Sequence, residues 1–275
     1  MSGMNDKNIK KHLSKKLNNW IDSINDTNLQ KDVRNCVIVT GGALASLYLG
    51  ENVNDYDIYL TDINVLKRLT EYYANTVPDF YGSNNSVGLN HDLSGVTLYI
   101  QSTGAIDTKM LNLDPDYYES LYHVLYMSSN AITLSGDIQL VLRFSGDYRK
   151  IHENFDFEHA KIVYSLHDNN LIASKLALKC LLSKQLIYTG SRYPICSLFR
   201  LRKFLKRDWY IDAGQILKIC FDVNKLNLSD VDVLTDQLTG VDTIYMLALI
   251  NALRGISPEK LTQSYVFELI DQILG

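Results

Sequence analysis

The chain has 275 residues, 46% of them hydrophobic, which is enough for a sizeable core in one large domain or two smaller ones. Its formal net charge of −4 gives no general electrostatic case for binding nucleic acid. No apolar run reaches the roughly 18 residues of a membrane span and the N-terminus lacks the apolar core of a secretory signal, so we expect a cytoplasmic protein that does not enter the membrane.

The first part of the chain alternates predicted helices and strands. An apolar stripe with lysines between its members predicts an amphipathic helix over 8–23. The pattern then predicts strands over 36–40, 55–61, 95–102, 131–134 and 138–144, a strand or a strand leading into a turn over 155–166, and helices over 43–49, 64–77 and 114–127. Asp114 is the expected N-cap of the last of these helices, with Pro115 in its first position. The strands over 131–134 and 138–144 are expected to pair as a hairpin through a Ser-Gly-Asp turn.

From about residue 170 the apolar residues recur with helical period only. The segments concerned are 169–188, 196–209, 213–223, 228–238, 243–253 and 264–274. We therefore expect an α+β fold, with a mixed sheet and flanking helices in a domain over residues 1–168. An all-helical domain over residues 169–275 would pack directly against it, because no low-complexity linker separates the two parts.

Cysteine and histidine residues give no metal-binding pattern. The four cysteines are scattered, which favours free reduced thiols. The six histidines are also dispersed, and His159 and His167 are interpreted as surface residues or as residues with satisfied hydrogen bonds. A transition-metal site is therefore not expected.

Gly41 and Gly42 lie between a predicted strand and a predicted helix. Glycines in this position let a phosphate chain approach the backbone, and the helix N-terminus offers free N–H groups and the positive end of its dipole. The same arrangement also makes an ordinary tight turn. The dinucleotide-binding and P-loop motifs are both absent from the sequence.

Asp55 and Asp57 follow a short distance later, one residue apart on a predicted strand. Residues two apart on a strand point to the same face, about 7 Å from each other. Two carboxylates so placed repel one another unless they are solvated or bind a cation. Mg²⁺ prefers carboxylate and phosphate oxygens, and a pair of ions can clamp the attacking and leaving oxygens of a phosphoryl displacement. Together with the glycines, the aspartates predict a magnesium site beside a phosphate site.

Residues 41–60, "GGALASLYLGENVNDYDIYL", resemble the signature of the polymerase-beta-like nucleotidyltransferase superfamily. The similarity is to the bacterial CCA-adding enzyme and poly(A) polymerase branch, in which Leu-Gly and Asn-Asp-x-Asp often link the helix to the strand. Segment 154–165 resembles the Arg-Arg-Asp-Phe-Thr-x-Asn-Ala motif of that branch, and segment 197–212 resembles its neck-helix motif. Asn154 and Phe155 replace the arginine pair, which in CCA-adding enzymes helps to select the base.

The resemblance implies a palm-like mixed sheet and a site that uses two magnesium ions and a nucleoside triphosphate (NTP). Gly41 and Gly42 would cradle the phosphates, and Asp55 and Asp57 would bind metal. A third carboxylate would serve as metal ligand or general base for the acceptor hydroxyl. Asp156 is the candidate for this third acid, with Glu158 as the fallback.

A basic segment and two single residues complete the candidate site. On the helix predicted over 196–209, Arg200, Lys203 and Arg207 share one face, which is either a solvated surface or a face for phosphates. Arg200 or Lys203 would reach the triphosphate. Arg143, at the end of a predicted strand, and Ser46, on the helix after the glycines, are further candidates for nucleotide binding.

These features predict an enzyme that transfers a nucleoside monophosphate from an NTP to a hydroxyl group, with release of pyrophosphate. The acceptor that the resemblance implies is an RNA 3′ end of the tRNA kind. Transfer to a protein or a small molecule is the first alternative. The second is a non-catalytic module that binds nucleotide or nucleic acid.

Overall fold

The computed structural model describes residues 3–101, 105–111 and 113–228, together with positions 230, 233, 237, 265, 268, 271 and 272. Its helices are α1 Asp6–Asp22, α2 Thr27–Cys36, α3 Gly42–Leu49, α4 Ile63–Thr76, α5 Pro115–Glu119, α6 Tyr148–His152, α7 Lys175–Ser183, α8 Pro194–Leu205 and α9 Ala213–Asn224. Its strands are β1 Val37–Thr40, β2 Tyr56–Leu60, β3 Ser86–Leu89, β4 Val96–Tyr99, β5 Ala105–Asp107, β6 Val124–Ser128, β7 Ala131–Leu134, β8 Ile138–Val141, β9 Ile162–Ser165, β10 Asn170–Ala173, β11 Gln185–Leu186 and β12 Tyr210–Ile211.

An eight-stranded mixed sheet is the centre of the first part, with the order β10-β9-β1-β2-β8-β7-β6-β5. Neighbouring strands are antiparallel except β2 and β8, which run parallel and place Asp57 beside Gln139. Strands β3 and β4 form a separate antiparallel pair, and β11 and β12 a short parallel pair. The predicted mixed sheet with flanking helices is thus confirmed.

The two faces of β1 and β2 have different neighbours. The main core contains Val37, Val39, Ile58 and Leu60 together with the apolar stripe of α1. Side chains alternate across a strand, so Ile38 and Tyr59 lie on the opposite face, in a small cluster with Ile151 of α6. Asp57 shares this second face with Tyr59, and it therefore faces away from the main core.

Local sequence signals account for several helix boundaries. The side chain of Asn5 accepts a hydrogen bond of 2.9 Å from the backbone N–H of Asn8 and so caps α1. Asp114 caps α5 in the same way through the N–H of Asp116, with Pro115 in the first turn as predicted. The predicted hairpin between β7 and β8 is also confirmed.

Three segments differ from their predictions. The helix predicted over 114–127 ends at Glu119, because Tyr122 has a left-handed backbone and the following residues pair as β6 with β5 and β7. The first part of the helix predicted over 169–188 is β10, which forms a hairpin with β9 across the left-handed Asn169. Of the strand predicted over 155–166, only Ile162–Ser165 pairs in the sheet.

The part of the chain after β10 is predominantly helical where the structure describes it. Helices α7, α8 and α9 correspond to three of the predicted helices, and α8 contacts α9. The predictions over 228–238, 243–253 and 264–274 lie outside the described residues, apart from single positions. The two-domain division between residues 168 and 169 stays a proposal.

Candidate active site

The turn from β1 into α3 is built on two glycines with different surroundings. Gly41 has φ 98° and ψ −148°, a backbone conformation that side-chain-bearing residues rarely adopt. A Cβ atom added to Gly41 would lie 3.2 Å from Oδ2 of Asp57, whereas one added to Gly42 would meet no atom within 4 Å. Gly41 therefore packs against the Asp57 carboxylate, and Gly42 opens the N-terminus of α3 to solvent.

Asp55 and Asp57 lie at the start of β2, beside this turn. Both side chains are partly exposed, while Tyr56 and Ile58 between and after them are buried in the core. The parallel pairing of β2 with β8 adds Gln139 as a neighbour of Asp57. Three oxygen-bearing side chains are thus gathered at one edge of the glycine turn.

Two adjoining cavities meet at this turn. The basic cavity has a volume of about 340 Å³, and its charged lining residues are Asp57, Arg143, Asp156, Arg192, Arg200, Lys203 and Arg207. The acidic cavity has a volume of about 630 Å³ and is lined by Glu51, Asp55, Asp57, Asp208, Lys184 and Arg207. Both cavities share Gly42, Asp57, His159, Phe204 and Arg207. Asp57 and Gly42 therefore stand at the boundary between a basic and an acidic compartment.

Every residue selected from the sequence lines at least one of these cavities, except the fallback acid Glu158, which lines neither and contacts Ser174 and Lys161. Gly41, Arg143, Asp156, Arg200 and Lys203 line the basic cavity, Ser46 and Asp55 the acidic one, and Gly42 and Asp57 both. Asp55 and Asp156 do not share a cavity. Within the described part of the chain, no three acidic, histidine or cysteine side chains are close enough together to hold a metal ion.

Asp156 forms an ion pair with Arg200. The distance between Oδ2 of Asp156 and Nη1 of Arg200 is 2.7 Å, and Asp156 is buried while Arg200 is partly exposed. Asp156 does not lie on a strand as predicted; a single bridge pairs its neighbour Phe157 with Tyr188. Its assignment as the third acid stays a prediction.

We expect the ion pair between Asp156 and Arg200 to stabilise the folded protein. A double-mutant cycle with Asp156→Asn and Arg200→Gln should give a coupling energy of about 1–2 kcal/mol in the free energy of unfolding. This is below the cost of breaking a fully buried pair, because the arginine keeps part of its hydration. Urea denaturation of the wild type, the two single variants and the double variant measures the coupling energy. A value near zero would contradict the prediction.

Two other cations of the basic cavity, Arg143 and Arg207, have an aromatic and an acidic neighbour respectively. The guanidinium of Arg143 stacks over the ring of Tyr193 at 4.1 Å from its centroid. Arg207 lies beyond the C-terminal end of α8, which stops at Leu205, and it forms an ion pair with Glu51. The predicted helix is present, and Arg200, Lys203 and Arg207 line the same cavity, although Arg207 belongs to the turn after the helix. The function predicted for this basic face stays a prediction.

His152 contacts Thr40, the residue that precedes the glycine turn, and no sequence motif indicated this contact. The hydroxyl of Thr40, the residue before Gly41, donates to the carbonyl of Ile162 at 2.6 Å. The same oxygen lies 2.7 Å from Nε2 of His152. Because the hydroxyl proton is already used, His152 is the donor in this bond. Thr40 and His152 are 112 residues apart, and no local motif joins them.

The pKa values of His152 and His159 are both lowered to about 4. Burial is the main cause for both, because it disfavours the charged imidazolium. Lys161 lowers the pKa of His152 further, and Asp156 opposes the shift of His159. Both rings are therefore neutral at physiological pH.

These shifts predict a loss of stability in mild acid. Above pH 6.5 neither the folded nor the unfolded protein protonates the two rings. Between pH 6.5 and about 4 the unfolded chain takes up protons that the folded protein resists, so its free energy of unfolding falls. We expect a decrease of roughly 1–2 kcal/mol per histidine from pH 7 to pH 5, measured by urea denaturation.

The variant His159→Phe should remove about half of this pH dependence, because His152 alone then contributes it. An equal slope in His159→Phe and the wild type would contradict the assignment.

A family model described as "Gad2: Gabija anti-defense 2 family protein" matches residues 11–184 of the chain. No curated protein matches the sequence at a significant level. No helix in the described ranges is long and apolar enough to cross a membrane.

Solved structures with similar chain paths include the Thermotoga maritima CCA-adding enzyme complexed with tRNA. Its identity to this chain is 13% and its TM-score 0.42, with 94% of this chain and 53% of that chain covered. A CCA-adding enzyme in complex with ATP gives 15% identity, a TM-score of 0.44, and coverage of 90% and 48%. The chain thus spans about half the length of these enzymes. A likeness at this level carries no argument about the reaction.

Proposed function

The chain belongs to the Gabija anti-defense 2 family, and from this premise we propose that it is a magnesium-dependent nucleotidyltransferase. It would transfer a nucleoside monophosphate from an NTP to a hydroxyl group and release pyrophosphate. The observation that carries the proposal is the open Gly42 at the N-terminus of α3, which lines one cavity together with Asp57 and several arginine and lysine side chains.

The triphosphate fits the glycine turn and the basic cavity. An N-terminal helix turn without a capping side chain offers free N–H groups to an anion, and Gly41 caps α3 with no side chain. Arg143, two residues beyond the end of β8, and Arg200 and Lys203 on α8 add positive charge to this cavity. We assign these three side chains to the phosphates, together with the backbone of Gly42 and the hydroxyl of Ser46.

The acidic cavity suits Mg²⁺. Asp55 and Asp57 supply carboxylates, and Asn52, Asn54 and Gln139 in the same cavity supply further oxygens, the ligands that this ion prefers. The two ions that the resemblance implies would neutralise phosphate charge and acidify the acceptor hydroxyl. We assign Asp55 and Asp57 as their protein ligands, with Asp156 as the proposed third.

The proposed reaction is one in-line displacement at the α-phosphorus. The acceptor oxygen forms a bond to the α-phosphorus while the bond to the bridging oxygen of the β-phosphate breaks. The hydroxyl proton passes to a carboxylate or to solvent, and pyrophosphate leaves. Arg143, Arg200 and Lys203 would stabilise the charge that develops on the departing pyrophosphate.

An RNA 3′ end is our first proposal for the acceptor. Arg192, Arg202 and Lys206 are exposed along and beside α8, where they could follow a phosphate backbone. The family description, which refers to counteracting a defence system, favours a second candidate: an acceptor hydroxyl on a component of that system, such as a protein side chain. We place either reaction in the cytoplasm, in keeping with the four free cysteines.

Transfer of label tests the proposal. The protein would be incubated with Mg²⁺, each of four α-³²P-labelled NTPs in turn, and either total bacterial RNA or an extract of cells that carry the Gabija system. We expect label to stay with the RNA when unincorporated NTP is removed, and ribonuclease to release it. Label released by protease instead would favour the second acceptor. No incorporation in either mixture would overturn the proposal.

A further inference from the structure

His159 and Trp209 form a buried polar pair in the wall that borders the cavities. Their exposed fractions are 1% and 3%, and their ring centroids are 4.3 Å apart. The ring of Phe204 packs edge-on against His159 at 4.6 Å. Among the described residues, neither nitrogen of His159 nor Nε1 of Trp209 has a hydrogen-bond partner. His159 was expected from the sequence to be a surface or satisfied residue, and this expectation is wrong.

Unpartnered buried nitrogens are costly, and native proteins keep few of them. Here three lie side by side, in the wall of the proposed active site. His159 lines both cavities, and Trp209 lines the acidic cavity with Asp55 and Asp57. Packing alone would be served by phenylalanine at either position without that cost. The position and the unused hydrogen-bonding capacity together indicate that a ligand supplies the missing partners.

The chemistry of the pair narrows the kind of ligand. Burial keeps the pKa of His159 at about 4, so its neutral ring offers one donor and one acceptor, and the indole of Trp209 offers one more donor. A phosphate would require donors only and gains nothing from the acceptor. A metal ion would need ligands besides His159, and its ring neighbours Trp209 and Phe204 supply none. A planar ring with donors and acceptors along one edge matches both the polar atoms and the aromatic surface of Phe204.

We propose that His159 and Trp209 hydrogen-bond the nucleobase of the donor nucleotide and determine which NTP the protein uses. This inference rests on the proposed function and adds the residues that read the base. The three nitrogens are covered in this structure, so base binding requires the His159 ring to turn or Phe204 to move aside. The base would then replace Phe204 as the neighbour of His159, with its phosphates towards Gly42.

Binding of NTPs to His159→Phe tests the inference. The affinities of ATP, CTP, GTP, UTP and base-free tripolyphosphate would be measured by titration calorimetry without acceptor, for the wild type and this variant. We expect the wild type to prefer one NTP by at least about tenfold, the factor that one or two hydrogen bonds to a base provide. In His159→Phe the four affinities should converge to within about threefold, while that of tripolyphosphate stays unchanged.

Two further variants keep the test decisive if His159→Phe does not fold. Trp209→Phe removes one donor and should reduce the preference, and His159→Gln keeps a donor and an acceptor and should retain part of it. An unchanged order of NTP preference in all variants would overturn this inference and leave the proposed function standing. Binding of neither NTP nor tripolyphosphate by the wild type would overturn both. A preference that is unchanged while the melting temperature falls would show that the pair serves folding alone.

Discussion

Replacing Asp57 by asparagine should lower the rate of nucleotide transfer by at least about a thousandfold, equivalent to about 4 kcal/mol of transition-state stabilisation. Asparagine has nearly the same shape as aspartate, so Gly41, which packs against this side chain, keeps its neighbour. What is lost is the charge that would hold Mg²⁺ at the boundary of the two cavities. Asp55→Asn should have a similar effect, and the double variant should fall little further, because the two carboxylates act as one site.

The measurement is the initial rate of label incorporation at saturating NTP, with far-ultraviolet circular dichroism to confirm folding. Asp116→Asn is the matched control, because Asp116 is exposed in α5 and lines neither cavity. It should react at the wild-type rate. If Asp57→Asn retained more than a tenth of the wild-type rate, the aspartates would not be metal ligands, and the site would have to use other residues.

The glycine turn and the two aspartates could be predicted because they lie within twenty residues of one another. A short β-branched run, Gly-Gly, a helix and Asp-x-Asp each carry a local signal, and alternation along β2 then fixes which face the carboxylates share. The same local reasoning correctly found the cap of α5 at Asp114. It also found the hairpin of β7 and β8, which is closed by a Ser-Gly-Asp turn.

The remaining contacts of the site join residues that are far apart in the sequence, and no sequence pattern predicts them. Asp156 and Arg200 are 44 residues apart in the sequence, and only the tertiary structure brings them together. The parallel pairing of β2 with β8 brings Gln139 to Asp57, although β3 to β7 lie between these two strands in the sequence. Asp156 was selected from its place in the Asp-Phe motif, on a predicted strand, and the structure shows it in an ion pair outside any strand. Geometry of this kind depends on packing between elements.

Pairing of strands in the sheet also explains the two segments for which helical periodicity gave a wrong prediction. Residues 124–128 and 170–173 have apolar spacing that fits a helix, but in the structure the first segment pairs with β7 and the second with β9. The left-handed residues Tyr122 and Asn169 turn the chain back, and backbone pairing with the sheet then outweighs local preference. Short segments are the ones most open to such an override.

The two glycines should respond differently to alanine. Gly41→Ala should destabilise the protein by about 1–3 kcal/mol, because its φ of 98° strains any side-chain-bearing residue and the new Cβ presses on the Asp57 carboxylate. Gly42→Ala meets no protein atom within 4 Å and lies in the first turn of α3. Alanine is the better helix former there, so the free energy of unfolding should rise by roughly 0.5–1 kcal/mol.

Binding should nevertheless fall in both variants, and in Gly42→Ala it should fall without any loss of stability. If phosphates approach the backbone at Gly42, a methyl group there occupies their place, and the affinity for ATP and for tripolyphosphate should decrease at least about tenfold. Gly214→Ala is the matched control, since Gly214 also begins a helix, α9, has open space around its Cα and lines neither cavity. Urea denaturation and titration calorimetry on the three variants separate the two effects. Wild-type affinity in Gly42→Ala would show that the anion binds elsewhere, because an unstrained, more stable turn that still binds ATP cannot be the surface on which the phosphates rest.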